Sequence, residues 1–379
     1  MEKEPLENDK RAEKRKMLEE LRKEKVKKQR IIGIIFAGII VTSIVTGIWY
    51  WERSEVREDF TFAYQDRVAD AASIIAVENG FFEDEGLNVK TMRFSSGPAC
   101  TEALIYGNAE FGTMGDTTGI ITTSKGHPVK IICSHGGGEN RHRIVVSETS
   151  NIESIGDLEG KFIGVKKGTS THGGLLLFAE KNGLDLEDEI VDMQPSDQLT
   201  ALAAGELDAI VASEPTPSLA IANGYGHELA TLGGLNNTYP ILILVHTQFA
   251  KEHPETVVKM LRALISATDF IQNNLDEAAN IQATITGLDA DVVKTAMNFH
   301  YYNVCMTQET KDSLSNMATF LKNMKQISEI PDFNTVIETS YLEEALTTYN
   351  LEAKNNYTLN NDTLKVLTTL EKTIYEFLK

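Results

Sequence analysis

Short apolar runs and amphipathic stretches alternate along this chain in an order that occurs twice. Residues Phe60 to Gly115 read as strand (FTFAY), polar turn (QDRVAD), helix (AASIIAVENG), strand (LNVKTMRF), small-residue loop (SSGPA), helix (CTEALIYGN) and strand (EFGTMG). About one hundred residues later, Lys161 to Ser213 read the same way: KFIGV, KKGTSTHGG, LLLFAEKNG, EIVDM, QPSDQ, LTALAAGE and LDAIVAS. Individual residues coincide as well: Asn79-Gly80 with Asn182-Gly183, Val89 with Val191, and Ala103-Leu104-x-x-Gly107 with Ala201-Leu202-x-x-Gly205. Two copies of β-α-β-α-β predict two α/β units with mostly parallel sheets.

In such sheets ligands sit outside the carboxyl ends of the strands, where loops enter helices. Each unit has three of these loops: Gln65 to Ala69, Ser95 to Pro98 and Gly115 to Thr118 in the first, and Lys167 to Gly173, Gln194 to Asp197 and Ser213 to Pro217 in the second. They are rich in Gly, Ser and Thr, which expose N–H groups and hydroxyls near helix N-termini and so suit an anion. Taken singly, the same residues serve as turn and cap residues. The candidate donors are Gln65, Arg67, Ser96, Gly97, Thr117, Thr169, Ser170 and His172. Arg67 reads equally as a cleft donor or a solvated surface charge, and His172 as a donor or a neighbour of the helix cap. A glycine run, His135 to Gly138, precedes Arg141, His142 and Arg143; from there Arg141 or Arg143 reaches either the cleft or the surface. Asp116 and Glu214 end strands on the same side. They would hold the amine of a zwitterion, unless Asp116 caps its helix and Glu214 is structural beside Pro215.

Twenty-one residues without a charge, 31–51, end in Trp49-Tyr50-Trp51. At about 1.5 Å per residue they match the hydrocarbon core of a bilayer, and the aromatic cluster suits its interface. Residues 1–30 hold 12 Lys/Arg and 8 Asp/Glu, a net of +4, which orients that end to the cytoplasm. The expectation is a single-pass signal-anchor in the cell membrane, with residues 52–379 extracytoplasmic. A cleaved signal peptide would have a shorter apolar region and a small-residue cleavage site, and a lipid anchor a Cys near residue 50. The rest of the chain carries 24 basic and 47 acidic residues, a net of −23, which argues against a nucleic-acid partner. Three scattered cysteines (Cys100, Cys133, Cys305) make no disulfide framework and, with the histidines, no metal spacing. No cofactor motif is present, and no G-x-x-x-x-G-K-[ST] run for ATP.

Over about 60–345 the chain resembles the extracytoplasmic solute-binding proteins of ABC importers, in the nitrate, sulfonate/taurine and thiamine-pyrimidine-precursor group. The resemblance rests on the turn Gly80-Phe81-Phe82-Glu83-Asp84-Glu85-Gly86-Leu87, on Ala103-Leu104-x-x-Gly107 running into Glu110-Phe111-Gly112, and on Ile155-x-Asp157-Leu158-x-Gly160-Lys161. It rests also on Gly164-Val165 with Gly168-Thr169-Ser170, and on Leu207-Asp208-Ala209 with Glu214-Pro215. The resemblance implies a type II periplasmic-binding-protein fold: two lobes, each a mostly parallel sheet flanked by helices, here preceded by one transmembrane helix. The expected division is 1–30 cytoplasmic, 31–51 anchor, 58–146 with 242–345 as lobe 1, 147–241 as lobe 2, and 351–379 a helical tail. Hinge strands are expected near Arg143 to Ser147 and Ile241 to His246. The implied function is hinged closure over a small anionic or zwitterionic solute, sulfonate or taurine before nitrate or bicarbonate, and delivery to a permease and its ATPase. No bond is broken. A pyrimidine precursor, with Tyr64, Tyr239, Tyr301 and Tyr302 as candidate rings, and a receptor for a signalling partner are the alternatives. An enzyme on this fold is disfavoured, because the cysteines are 33 and 172 residues apart instead of clustered.

Overall fold

The computed structural model describes residues 58–351. The expected cytoplasmic segment, the 31–51 anchor and the tail beyond Leu351 lie outside the described residues. Among those described, no helix is long and apolar enough to cross a membrane.

Ten strands form two five-stranded sheets. The first contains β1 (Glu58–Gln65), β2 (Leu87–Phe94), β3 (Phe111–Gly115), β4 (Val129–Gly136) and β10 (Ile241–His246), in the order β2-β1-β3-β10-β4. The second contains β5 (His142–Ser147), β6 (Ile163–Val165), β7 (Ile190–Asp192), β8 (Ala209–Ser213) and β9 (Gly226–Thr231), in the order β7-β6-β8-β5-β9. The two orders are the same pattern. In each, three strands of one repeat pair in parallel, β1 with β2 and β3, and β6 with β7 and β8. A fourth, antiparallel strand then inserts beside them, β10 between β3 and β4 and β5 between β8 and β9.

The repeat is visible in the backbone. Gly80 and Gly183 follow the first helix of each unit, and Gly107 and Gly205 follow the second; all four have φ of 72–73°, a left-handed conformation that ends a helix at no steric cost only for glycine. Phe60, Phe62 and Tyr64 of β1 are buried on one face and Ala63 and Gln65 on the other, as a strand covered on both faces requires. The 20-residue helix Pro254–Asn273 starts with proline in its first turn and buries Val257, Leu261, Leu264, Thr268 and Ile271 at three- and four-residue spacing. That stripe joins β1, β3 and the helix Ala71–Glu78 in the larger apolar core.

The inserted strands move the lobe boundaries. All six residues of β5 are buried and pair in the second sheet, so 142–146 belong to the second lobe, not to the first as expected; Ile241 opens β10 and belongs to the first. A wholly buried apolar strand satisfies its backbone in either sheet, and its own pattern does not choose between them. The chain crosses between lobes at residues 137–141 and 232–240, just outside the expected hinge strands. A second apolar cluster runs across both lobes, from Met114, Leu242 and Leu244 to Ile144, Leu175 and Leu232. The helix Gln308–Asn323 contributes Leu314, Met317 and Phe320 to it. The three cysteines are free; Cys100 and Cys133 are buried in the first lobe.

Candidate ligand-binding cleft

Between the lobes lies a tight cavity, about 330 Å³ with its open mouth included and with room inside for about one water. The first lobe lines it with Gln65 at the end of β1 and Arg67 beyond it, Gly97 after β2, and Gly115 at the end of β3 with Thr118 beyond it. The second lobe supplies Thr169, Ser170 and Thr171 after β6, Ser213 at the end of β8, and His142 at the start of β5; Arg141 arrives on the first crossing. These are carboxyl ends of parallel strands, where the topology directs a ligand. Three helices, Gly97–Ile105, Asp116–Ser124 and Ser170–Asn182, begin at the cavity wall and turn their unpaired N–H groups and positive dipole ends toward it.

The lobes are in contact. Thr118 donates its hydroxyl to the Gly168 carbonyl at 2.9 Å, and Arg67 Nη2 donates to the Ser213 carbonyl at 3.3 Å, each bond joining one lobe to the other. A Cβ at Gly115 would stand 1.9 Å from Ser170 Oγ, so that approach admits only glycine.

Three arginines mark the region, and they differ in their partners. Arg143 is buried in an ion pair with Glu214 at 2.6 Å and with Glu228 at 2.5 Å, and its guanidinium lies 4.8 Å from the Phe299 ring centre. Arg141 is 3 % exposed, and among the described residues no carboxylate forms an ion pair with it. Its guanidinium donates to the Tyr239 carbonyl from Nε (3.3 Å) and Nη2 (3.0 Å), and to Ser213 Oγ from Nη1 (3.1 Å). Burial pushes Arg141 down to about 10; Asp116 opposes this and the positive charge of Arg67 adds to it. Arg67 is partly buried, likewise without an ion pair, and likewise lowered by burial against the pull of Asp70 and Glu214. Removing a charge from water costs several kcal/mol unless a counter-charge replaces the solvent. Two such charges facing one cavity, beside the unpartnered buried Ser170 Oγ and His142 Nε2, describe a site built for an anion.

Of the residues singled out from sequence, Gln65, Arg67, Gly97, Arg141, Thr169 and Ser170 line the cavity. Five do not. Ser96 is buried behind Gly97 at the helix cap position, without a side-chain cap bond. Thr117 turns its hydroxyl toward Gly173 of the second-lobe helix, 2.4 Å from where a Cβ there would stand. Asp116 is the first residue of its helix, and its carboxylate accepts from the Thr117 N–H (2.7 Å) and the Asn237 amide (2.8 Å). Glu214 is committed to Arg143 and to the Ser218 N–H (3.3 Å), which leaves no carboxylate for a ligand amine there. His172 accepts from the Gly168 N–H through Nδ1 at 3.4 Å; burial, with Lys167, pushes it down to about 4.

Thr118, His142, Thr171 and Ser213 line the cavity without having been named as individual candidates, although Thr118, Thr171 and Ser213 lie in loops expected to line the cleft. Thr118 and Thr171 each sit one residue beyond a named candidate, and helical rotation decides which neighbour faces inward. None of the four tyrosines considered for a ring sandwich lines the cavity. The Tyr239 and Tyr302 hydroxyls donate to the Leu232 and Val68 carbonyls, and Tyr64 is packed against Phe62.

A family model described as NMT1/THI5 like matches residues 69–278. A putative aliphatic sulfonates-binding protein of Bacillus subtilis is 30 % identical over 280 residues, covering 72 % of this chain and 84 % of that one. The taurine-binding periplasmic protein of Escherichia coli is 24 % identical over 298 residues, covering 75 % and 92 %. Among solved structures, the alkanesulfonate-binding protein SsuA from Xanthomonas axonopodis pv. citri bound to MOPS superposes with a TM-score of 0.70 at 21 % identity, over 76 % of this chain and all of that one.

Proposed function

The chain belongs to the NMT1/THI5-like family, and on that premise we propose that it captures a small sulfonate between its lobes and delivers it to an ABC permease. It is a binding protein rather than an enzyme, as its relatives are. The observation that carries the ligand class is the pair of guanidinium groups, Arg67 and Arg141, that meet in the cleft without a carboxylate partner. Two relatives, named for aliphatic sulfonates and for taurine, support a sulfonate among the anions. A sulfonate stays ionised at any physiological pH and offers three acceptor oxygens, one set for the two arginines and another for the Ser170 hydroxyl and the helix N–H groups. Closure over such a ligand is a hinge motion about the two crossings, in which the anion supplies the counter-charge that holds the arginines of opposite segments together.

The run at residues 31–51, its aromatic end and its basic flank support an anchor that keeps the binding lobes outside the cell and near the permease. Protease added to intact cells should then remove the lobes and spare residues 1–30.

The ligand reading is tested by isothermal titration of the full chain in detergent with ethanesulfonate, taurine, sulfate, nitrate and a pyrimidine amine. Sulfonate buffers are left out because they would compete. Saturable binding of a sulfonate in preference to nitrate and the pyrimidine is expected. A pyrimidine that binds while every sulfonate fails would overturn the proposal.

A further inference from the structure

We propose that His142 is a ligand-contacting residue, and that the cleft takes up one proton on its ring each time it closes on an anion. This rests on the anion-binding reading above. His142 opens β5, lines the cavity beside Arg141 and is 1 % exposed. Its Nδ1 lies 2.8 Å from the Thr171 hydroxyl, and its ring stands edge-on to Tyr239 with centroids 4.6 Å apart. Nε2 is buried with no hydrogen-bond partner. A ring held by a hydroxyl at one nitrogen and a tyrosine against its edge, with its second nitrogen unsatisfied, is costly in a finished core and natural in a site whose occupant completes it.

The surroundings of the ring explain why a proton accompanies the anion. Without a ligand, burial, then the positive charges of Arg141 and Arg67, then His300 keep His142 well below the ordinary histidine value. The carboxylates on neighbouring elements do not offset this. Glu214 and Glu228 are paired with Arg143, Asp116 accepts from the Thr117 N–H and Asn237, Asp70 accepts from the Gln65 amide with His135 Nε2 3.4 Å away, and Glu148 lies against His227. An anion between the arginines cancels the field that repels the proton and gives Nε2–H an acceptor. Both effects favour the imidazolium. The Thr171 hydroxyl accommodates either state, donating to a bare Nδ1 or accepting from Nδ1–H. No covalent bond changes; the proton comes from solvent and returns to it on release.

The sign is fixed by linkage: a group that binds its proton more tightly in the liganded state makes affinity rise as pH falls, by at most about tenfold per pH unit for one proton. The test uses the full chain in detergent with ethanesulfonate, which does not itself titrate, between pH 8 and pH 5.5 in amine buffers. The dissociation constant should fall with pH, and a weakly buffered solution should show up to one proton taken up per anion bound. His142→Gln, whose amide reaches the Nε2 position, should bind with little dependence on pH. Measuring proton uptake on the unaltered chain keeps the result independent of how that variant folds. Binding that is equally tight at both ends of the range with no proton uptake overturns the proposal while leaving the anion site intact. A pH slope that persists in His142→Gln overturns it too, by assigning the proton to another group. Absence of binding by ethanesulfonate, taurine and sulfate at every pH would overturn the anion-binding reading and this inference with it.

Discussion

Replacing Arg141 with Met separates what the guanidinium does for the fold from what it does for the ligand. In the ligand-free protein two effects oppose each other. Holding Arg141 down to about 10 corresponds to a charge penalty of about 3 kcal/mol, which methionine removes. The substitution also deletes the hydrogen bonds of a charged donor to two acceptors, the Tyr239 carbonyl, which takes both Nε and Nη2, and Ser213 Oγ, at about 1.5 kcal/mol for each acceptor. The two totals are equal within their precision, so the unfolding free energy without ligand should change by no more than about 1 kcal/mol. Binding has no such compensation. Removing one partner of a desolvated charge pair costs about 2–5 kcal/mol, a loss of roughly 30- to several-thousand-fold in affinity. Urea unfolding of wild type and Arg141→Met, each with and without ethanesulfonate, reads both quantities from one pair of curves. The expected outcome is near-coincident curves without ligand and a large ligand-induced shift only in wild type. A variant that unfolds several kcal/mol early without ligand would make Arg141 a structural residue, and one that keeps the shift would place the anion elsewhere.

Arg143→Met is the contrasting case. It strands Glu214 as a buried unpaired carboxylate, so it should destabilise by about 3–5 kcal/mol whether or not ligand is present, measured on the same curves. Gly115→Ala places a Cβ against Ser170 Oγ and should weaken anion affinity by opposing closure while leaving ligand-free melting within a few degrees of wild type; small-angle scattering with ligand should then report a wider molecule than wild type. His172, pushed down to about 4, binds its proton more weakly folded than unfolded. Its contribution to stability is therefore complete above about pH 6.5 and lost as pH falls toward 4, so the urea midpoint should drop over that window, and less so in His172→Asn.

Whether such residues could be found without coordinates depended on the kind of signal each carried. The doubled β-α-β-α-β order was legible because hydrophobic period and glycine placement are local properties, and Gly80, Gly107, Gly183 and Gly205 do occupy equivalent helix ends. The loops that line the cleft followed from topology, since carboxyl ends of parallel strands must share one side. The lobe that receives β5 was not legible, because its pairing with β8 and β9 joins segments remote in sequence. Arg141 and Arg143 show the same limit. They are two residues apart and chemically identical, yet Arg141 lies on the crossing before the strand begins, so pleat alternation does not relate them. Only the positions of Glu214 and Glu228 identify Arg143 as the neutralised one. The Glu214 that looked like a ligand carboxylate was the reason Arg141, and not Arg143, is left for the ligand.

That division also bears on how a strongly acidic protein would hold the proposed anion. Beyond the first thirty residues 47 acidic side chains outnumber 24 basic ones, yet none of those described lies within ion-pair distance of Arg67 or Arg141. Charges on the outer surface are screened over about 8 Å at physiological ionic strength, whereas charges inside a water-poor cleft act on each other at contact. The outer field therefore bears on solubility and encounter, and the inner pair on what is retained. Its selectivity is uneven as a result. A neutral or cationic solute that filled the cavity would leave two guanidinium groups dehydrated and unpaired, several kcal/mol worse than the open form, and closure would not follow. Among anions the arginines discriminate weakly, because any oxyanion supplies the missing charge. Choice among them falls to the groups with direction, the Ser170 hydroxyl and the N–H groups that open the helices at Gly97 and Ser170.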